Sequence, residues 1–217
     1  MIRAFILIAV ICELGIVPAS AGPTVSQVGQ VLVSFQDPRI RLQIDSTFRP
    51  LPPLLFTLMS TVVDRRIYVK ADSHKDVTGL IVIQFESVKP GSTFKFVYRP
   101  RPPAKFGDDT YRFGAYIYDD AKEASAAPTM ESARTREFLV RQGYRLPRLF
   151  RTARLARVTD EKGQSEVIIF YNENADADYA GGVLPNTDAD GDLVLDAKDA
   201  AALFNRLKSA IHSSVGS

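Results

Sequence analysis

Residues 78–88 read TGLIVIQFESV, Lys89-Pro90-Gly91-Ser92 follows, and residues 93–98 read TFKFVY. The β-branched and aromatic residues on either side suit extended chain. Between them stand proline at the second and glycine at the third position of a type II turn, where proline fixes a negative φ and glycine accepts a positive one. The stretch therefore predicts a β-hairpin, 78–88 against 93–98, and with it an antiparallel sheet. On the first strand Leu80, Val82, Gln84 and Glu86 share one face, and the polar pair Gln84 and Glu86 is expected on the solvated side.

Moving outward, residues 150–159 (FRTARLARVT) and 166–171 (EVIIFY) repeat the pattern around Asp160-Glu161-Lys162-Gly163 and predict a second hairpin. Residues 66–70 (RIYVK), residues 111–118 (YRFGAYIY), and Ile40, Leu42 and Ile44 alternating with charged or polar neighbours predict further strands. Residues 51–63 are apolar with Pro52 and Pro53 near their start, which fits either a short helix or an irregular entry to a strand. One helix is expected over 130–142, stopped by Gly143, and another over 197–212. The second has Asp196 as N-cap, Asp199 in its first turn, and an apolar stripe of Ala201, Phe204, Leu207 and Ile211. The expected fold class is α+β, a mostly antiparallel sheet of six or seven strands with two or three helices packed on one face. The proline-rich run 99–105 (RPRPPAK) is expected to be a stiff surface connection.

Residues 1–21 predict an export signal peptide: Arg3 near the start, an apolar run from Ala4 to Cys12, and the small residues Ala19-Ser20-Ala21 at the cleavage site. That apolar run is about half of the roughly 20 residues a membrane-spanning helix needs, so no transmembrane anchor is expected after cleavage. The mature chain is expected to be one domain, residues 22–217, ending in an acidic loop and helix at about 172–212, in a secreted or periplasmic location. Cys12 is the only cysteine and leaves with the leader, which excludes disulfides, thiol catalysis and a cysteine zinc site. A net charge of +2 argues against a dedicated nucleic-acid binder.

Charge is nonetheless polarised, with Arg134, Arg136, Arg141, Arg145, Arg148, Arg151, Arg154 and Arg157 facing the single acid Glu137, while eleven acids and four bases follow Val158. Internal pairing between these two regions is the favoured reading of the arginines. The other is an anionic ligand bound at Arg145–Arg157 through bidentate guanidinium contacts.

In the acidic region, Asn186-Thr187-Asp188-Ala189-Asp190-Gly191-Asp192-Leu193 places oxygen side chains at positions 1, 3 and 5, glycine at 6 and an aliphatic at 8. This spacing resembles the calcium loop of EF-hands and dockerin-type half-hands over about residues 186–199. The resemblance implies a structural calcium ion held by Asn186, Asp188, Asp190 and Asp192. Asp196 and Asp199, which flank Ala197 at position 12, are the further candidate ligands. Asn172, Glu173, Asn174, Asp176 and Asp178 supply further oxygens upstream.

Catalytic signals are thin. His74 lies among Asp72, Ser73, Lys75 and Asp76, a composition better suited to a solvated turn than to a triad. The sequence thus points to an exported, non-catalytic α+β module for a ligand or partner, stabilised by calcium. The alternatives are a secreted hydrolase using Asp and Glu, and an anion-binding envelope protein using the arginines.

Overall fold

The computed structural model describes residues 25–35, 38–182, 184, 187 and 193–214. In chain order, β1 (Val25–Val28) and β2 (Val31–Ser34) form a hairpin, followed by β3 (Ile40–Ile44), the short β4 (Arg49–Pro50) and β5 (Leu54–Thr57). Next come β6 (Thr61–Ala71), β7 (Val77–Val88), β8 (Pro103–Phe106) and β9 (Asp109–Asp119). Helices α1 (Asp120–Ala126) and α2 (Glu131–Arg141) lead to β10 (Leu149–Val158) and β11 (Ser165–Asn174). The last elements are β12 (Leu193–Val194), α3 (Ala197–Ala210) and β13 (Ile211–Ser214).

These strands make two antiparallel sheets. The smaller runs β1-β2-β3-β13; the larger runs β12-β9-β10-β11-β7-β6-β4, with β5 also on β6 and β8 also on β9. The expected α+β class is therefore corrected. Strands account for 47% of the residues and three short helices for 18%, a mostly-sheet protein in which the helices do not gather on one face. Several segments went to strand for identifiable reasons. The apolar run 51–63 contains Pro52 and Pro53, and it became the edge strand β5 and the start of β6. Gly29, at φ +56°, turns β1 into β2 across a two-residue loop. Helix α3 ends at Ala210, because Ile211 adopts extended backbone (φ −135°, ψ 115°) and pairs with Ile44.

The hairpin expected at 78–98 is half present. Ser92 N–H donates to Lys89 C=O at 3.1 Å and Gly91 sits at φ +81°, so the turn forms as its residues dictate. The partner is different: β7 pairs with β6 on one side and β11 on the other, which leaves no edge for residues 93–98. Those residues instead leave the sheet plane and bring Tyr98 over its face, against Glu166, Arg112 and Arg154. The second hairpin, β10 with β11, pairs Phe150 with Asn174 through Val158 with Glu166.

The main core lies between the two sheets. Ile81, Ile83 and Phe85 of β7 and Ile169 of β11 meet Leu32, Leu42 and Ile44 of the small sheet and Leu203 and Leu207 of α3. A second core sits on the opposite face of the large sheet, where Phe138 and Leu139 of α2 cluster with Ile67, Val69, Leu80 and Val82. Only part of that face is covered by α2. The uncovered part forms the candidate site.

Candidate functional site

Alternation along five adjacent strands sets which residues reach the half-covered face. Beyond the apolar patch under α2, β6 contributes Arg65, β7 Gln84, β11 Ile168 and Phe170, and β10 Thr152 and Arg154. A cleft of about 250 Å³ opens there. Its floor is apolar (Val82, Phe150, Ile168, Phe170), and one wall is helical, from Asp120 and Glu123 of α1 and Glu131, Ser132 and Thr135 of α2. Tyr116 and Arg154 bound the far end. An apolar floor with a few convergent polar groups is the usual make-up of a small-molecule site.

Arg65 ties the helical wall to the sheet. Its Nε donates to Gln84 Oε1 at 2.5 Å, and Nη1 donates to the Glu131 carbonyl at 3.0 Å and to Thr135 Oγ1. These acceptors are neutral, so the buried guanidinium keeps its charge without a carboxylate in direct contact. Burial lowers its pKa to about 10, offset in part by the nearby Glu131 charge. It therefore remains a cation at any physiological pH. On the helical wall, Asp120 is buried and ion-paired with Arg136, with burial pushing its carboxyl up.

Gln84 and Glu86, expected on a solvated face, are instead 1% and 6% exposed. Glu86 accepts from Thr61 Oγ1 at 2.5 Å and from Gln84 Nε2 at 2.7 Å. Directly opposite on β11 lies Glu166, 3% exposed, whose carboxyl accepts a hydrogen bond from the Tyr98 hydroxyl. Two carboxylates facing each other in a buried ladder cannot both be charged cheaply. Burial foremost, and then the Glu86 charge and hydrogen bond, raise the Glu166 pKa to about 7, and burial raises that of Glu86 as well. In the folded protein Glu166 thus holds its proton well above the range in which an ordinary glutamate loses it. Neither residue lines the cleft.

Of the arginines anticipated for an anionic ligand, Arg145 pairs with Asp76, Arg148 with Asp119, Arg151 with Asp178 and Arg157 with Asp109. Internal pairing is thus the rule, though only Asp178 comes from the acidic C-terminal region. Arg154 differs. It has no direct carboxylate partner among the described residues: it lies 5.4 and 5.8 Å from the Tyr98 and Phe170 rings and 3.5 Å from the Tyr98 hydroxyl, and its charge acts on the nearby Glu166 and Arg112.

Of the six anticipated calcium ligands, Asn186, Asp188, Asp190 and Asp192 lie outside the described residues, while Asp196 and Asp199 stand at the start of α3. Asp196 caps α3 by accepting from the Asp199 N–H at 2.8 Å. The upstream oxygens are engaged elsewhere: Asn172 with Thr152 and the Leu80 carbonyl, Glu173 with Arg206, Asp176 with the Leu149 N–H. Among the described residues, no group of three or more His, Cys, Asp or Glu is placed to hold a metal. Also among them, no helix is long and apolar enough to cross a membrane. His74 sits in an exposed turn in which Asp72 Oδ1 accepts from the His74 and Asp76 N–H groups, and no triad forms there.

Sequence reasoning did not single out Arg65, Arg112, Tyr98 or Glu166. Arg65 left one signal, a charge on the same face of its strand as Ile67 and Val69. The chain matches no protein-family model, no curated protein and no solved structure.

Proposed function

We propose that the protein is an exported, non-catalytic module that binds a small, partly apolar molecule in the cleft between α2 and the large sheet. The observation carrying this reading is the cleft itself. It is a concavity of about 250 Å³ with an apolar floor, on a sheet face whose neighbouring area is closed by α2. An ordinary core would fill such a space to crystal-like density. Export is supported by the leader pattern in residues 1–21. Non-catalytic binding is supported by the hydrogen bonding of Glu86 and Glu166 within the fold, apart from the residues that line the cleft.

The neutral fluorescent probe N-phenyl-1-naphthylamine is expected to bind the wild-type protein with micromolar affinity. Ile168→Trp, which places an indole on the cleft floor, is expected to weaken binding about tenfold or more while leaving the circular dichroism spectrum unchanged. Equal affinity in the two proteins would place the probe elsewhere and remove the support for this site.

A structural calcium ion at the loop 186–199 belongs to the same proposal, supported by the alternate oxygen side chains and Gly191. Millimolar calcium is expected to raise the melting temperature above that measured in chelator. Identical melting curves in calcium and chelator mean that the loop holds no such ion.

A further inference from the structure

Beyond the far end of the cleft lies a second cavity of about 190 Å³, lined by Arg101, Arg112, Gly114, Tyr116 and Arg154. It shares Tyr116 and Arg154 with the cleft. Three guanidinium groups from three separate stretches of chain converge on one concavity, and among the described residues no carboxylate lines it. The convergence is enforced by Tyr98, whose ring lies 4.6 Å from the Arg112 guanidinium and 5.4 Å from that of Arg154. The space itself comes from Gly114, which leaves a gap where strand alternation would otherwise set a side chain beside Arg112 and Tyr116. A Cβ there would stand 3.4 Å from Arg101 Nη1. One donor is left over: Arg112 Nε is buried and has no hydrogen-bond partner among the described residues. A buried unsatisfied donor beside a second cation is destabilising for the isolated protein, and such costs concentrate where a ligand supplies the missing partner.

We infer that this cavity is an oxyanion subsite, taking the phosphate, sulfate or carboxylate end of an amphipathic ligand whose apolar part lies along the cleft floor. This rests on the cleft reading above and adds the chemical class and the orientation. The helical wall carries Asp120, Glu123 and Glu131, which repel an anionic head, so the head goes to the opposite, arginine-lined end. Planar guanidinium groups suit this role because each offers paired donors that match the edge of an oxyanion.

The test is displacement of N-phenyl-1-naphthylamine by octyl phosphate, octyl sulfate, octanoate and octanol. It is run on wild type, Arg112→Gln and Gly114→Val, with calorimetric titration of inorganic phosphate alongside. In the wild type at least one charged competitor is expected to act at tenfold or more lower concentration than octanol, and its rank among the three identifies the oxyanion. Both variants are expected to abolish that preference, Arg112→Gln by removing donors and Gly114→Val by filling the space, while octanol competes unchanged. Arg112→Gln is expected to melt at or above the wild-type temperature, because repulsion with Arg154 is relieved. A preference that is absent in the wild type, or that survives both substitutions, overturns the subsite and leaves the cleft standing. Failure of the neutral probe to bind the wild type overturns the cleft. The phosphate titration then decides the subsite alone: binding lost in Arg112→Gln sustains it, and no binding overturns it.

Discussion

Unfolding of the wild-type protein is expected to become easier by about 3 kcal/mol as pH rises from 5 to 8, with Glu166 as the main cause. The folded-state pKa of this carboxyl, about 7, lies above its ordinary value of 4.5. Between those values the folded protein therefore holds a proton that the unfolded chain releases. Stability from this group is fully present below about pH 4.5 and is lost as pH climbs through 7. Glu86, also raised by burial, adds to the same trend. Exposed, ion-paired carboxylates such as Asp76, held low by Arg145, act in the opposite sense but only at more acidic pH. Glu166→Gln keeps an acceptor for the Tyr98 hydroxyl and removes the charge. It is expected to flatten the pH profile and to gain about 2 to 3 kcal/mol at pH 8. Urea denaturation of both proteins at pH 5, 6, 7 and 8 checks this; parallel profiles would show that the opposed carboxyls titrate as ordinary surface groups.

The second large effect belongs to Arg65. Arg65→Ala is expected to cost about 3 to 5 kcal/mol, the range for breaking a buried charged network. It strands Gln84 Oε1, takes a donor from the Thr135 hydroxyl and the Glu131 carbonyl, which keep only their bond to each other, and removes a cation that interacts with the Glu86 charge. Arg65→Met restores most of the volume without the donors and is expected to recover part of the loss. The distinguishing readout is local: amide exchange in α2 rises in both variants while the β10–β11 ladder stays protected. If α2 exchanges at the wild-type rate in Arg65→Ala, the guanidinium does not anchor the helical wall, and the cleft must be held open by Phe138 and Leu139 alone.

How much of this was legible beforehand depended on how local each cause is. The turn at Pro90 and Gly91 was readable because its φ values are set by two adjacent residues. Its strand partner was not, since that depends on whether β6 and β11 already occupy both edges of β7. The β10–β11 hairpin was readable because turn and pairing fall in one continuous stretch. Asp196 as N-cap and Gly143 as a helix stop follow the same rule, with Gly143 at φ +83°. Gln84 and Glu86 misled for the opposite reason. Their alternation marked the correct face, but what buries that face is a helix from a later part of the chain and a following loop that leaves the sheet plane and folds back over it. The cleft suffers most from this, being assembled from five strands and two helices. The triplet Arg112-Phe113-Gly114 carries no outward sign that Arg101 and Arg154 will be its neighbours.

The small sheet ends on β13, where Ile211 and His212 pair with Ile44 and Gln43 of β3, so a strand made near the start of the described chain is closed by one made near its end. During synthesis, β3 emerges long before its neighbour β13 exists. Until then the apolar faces of Leu32, Leu42 and Ile44 lack both β13 and the α3 residues that cover them. Pairing over such a span makes folding slow and leaves a sticky intermediate. The core between the two sheets is therefore completed only once α3 and β13 have been made, so its closure depends on the pairing most distant in sequence.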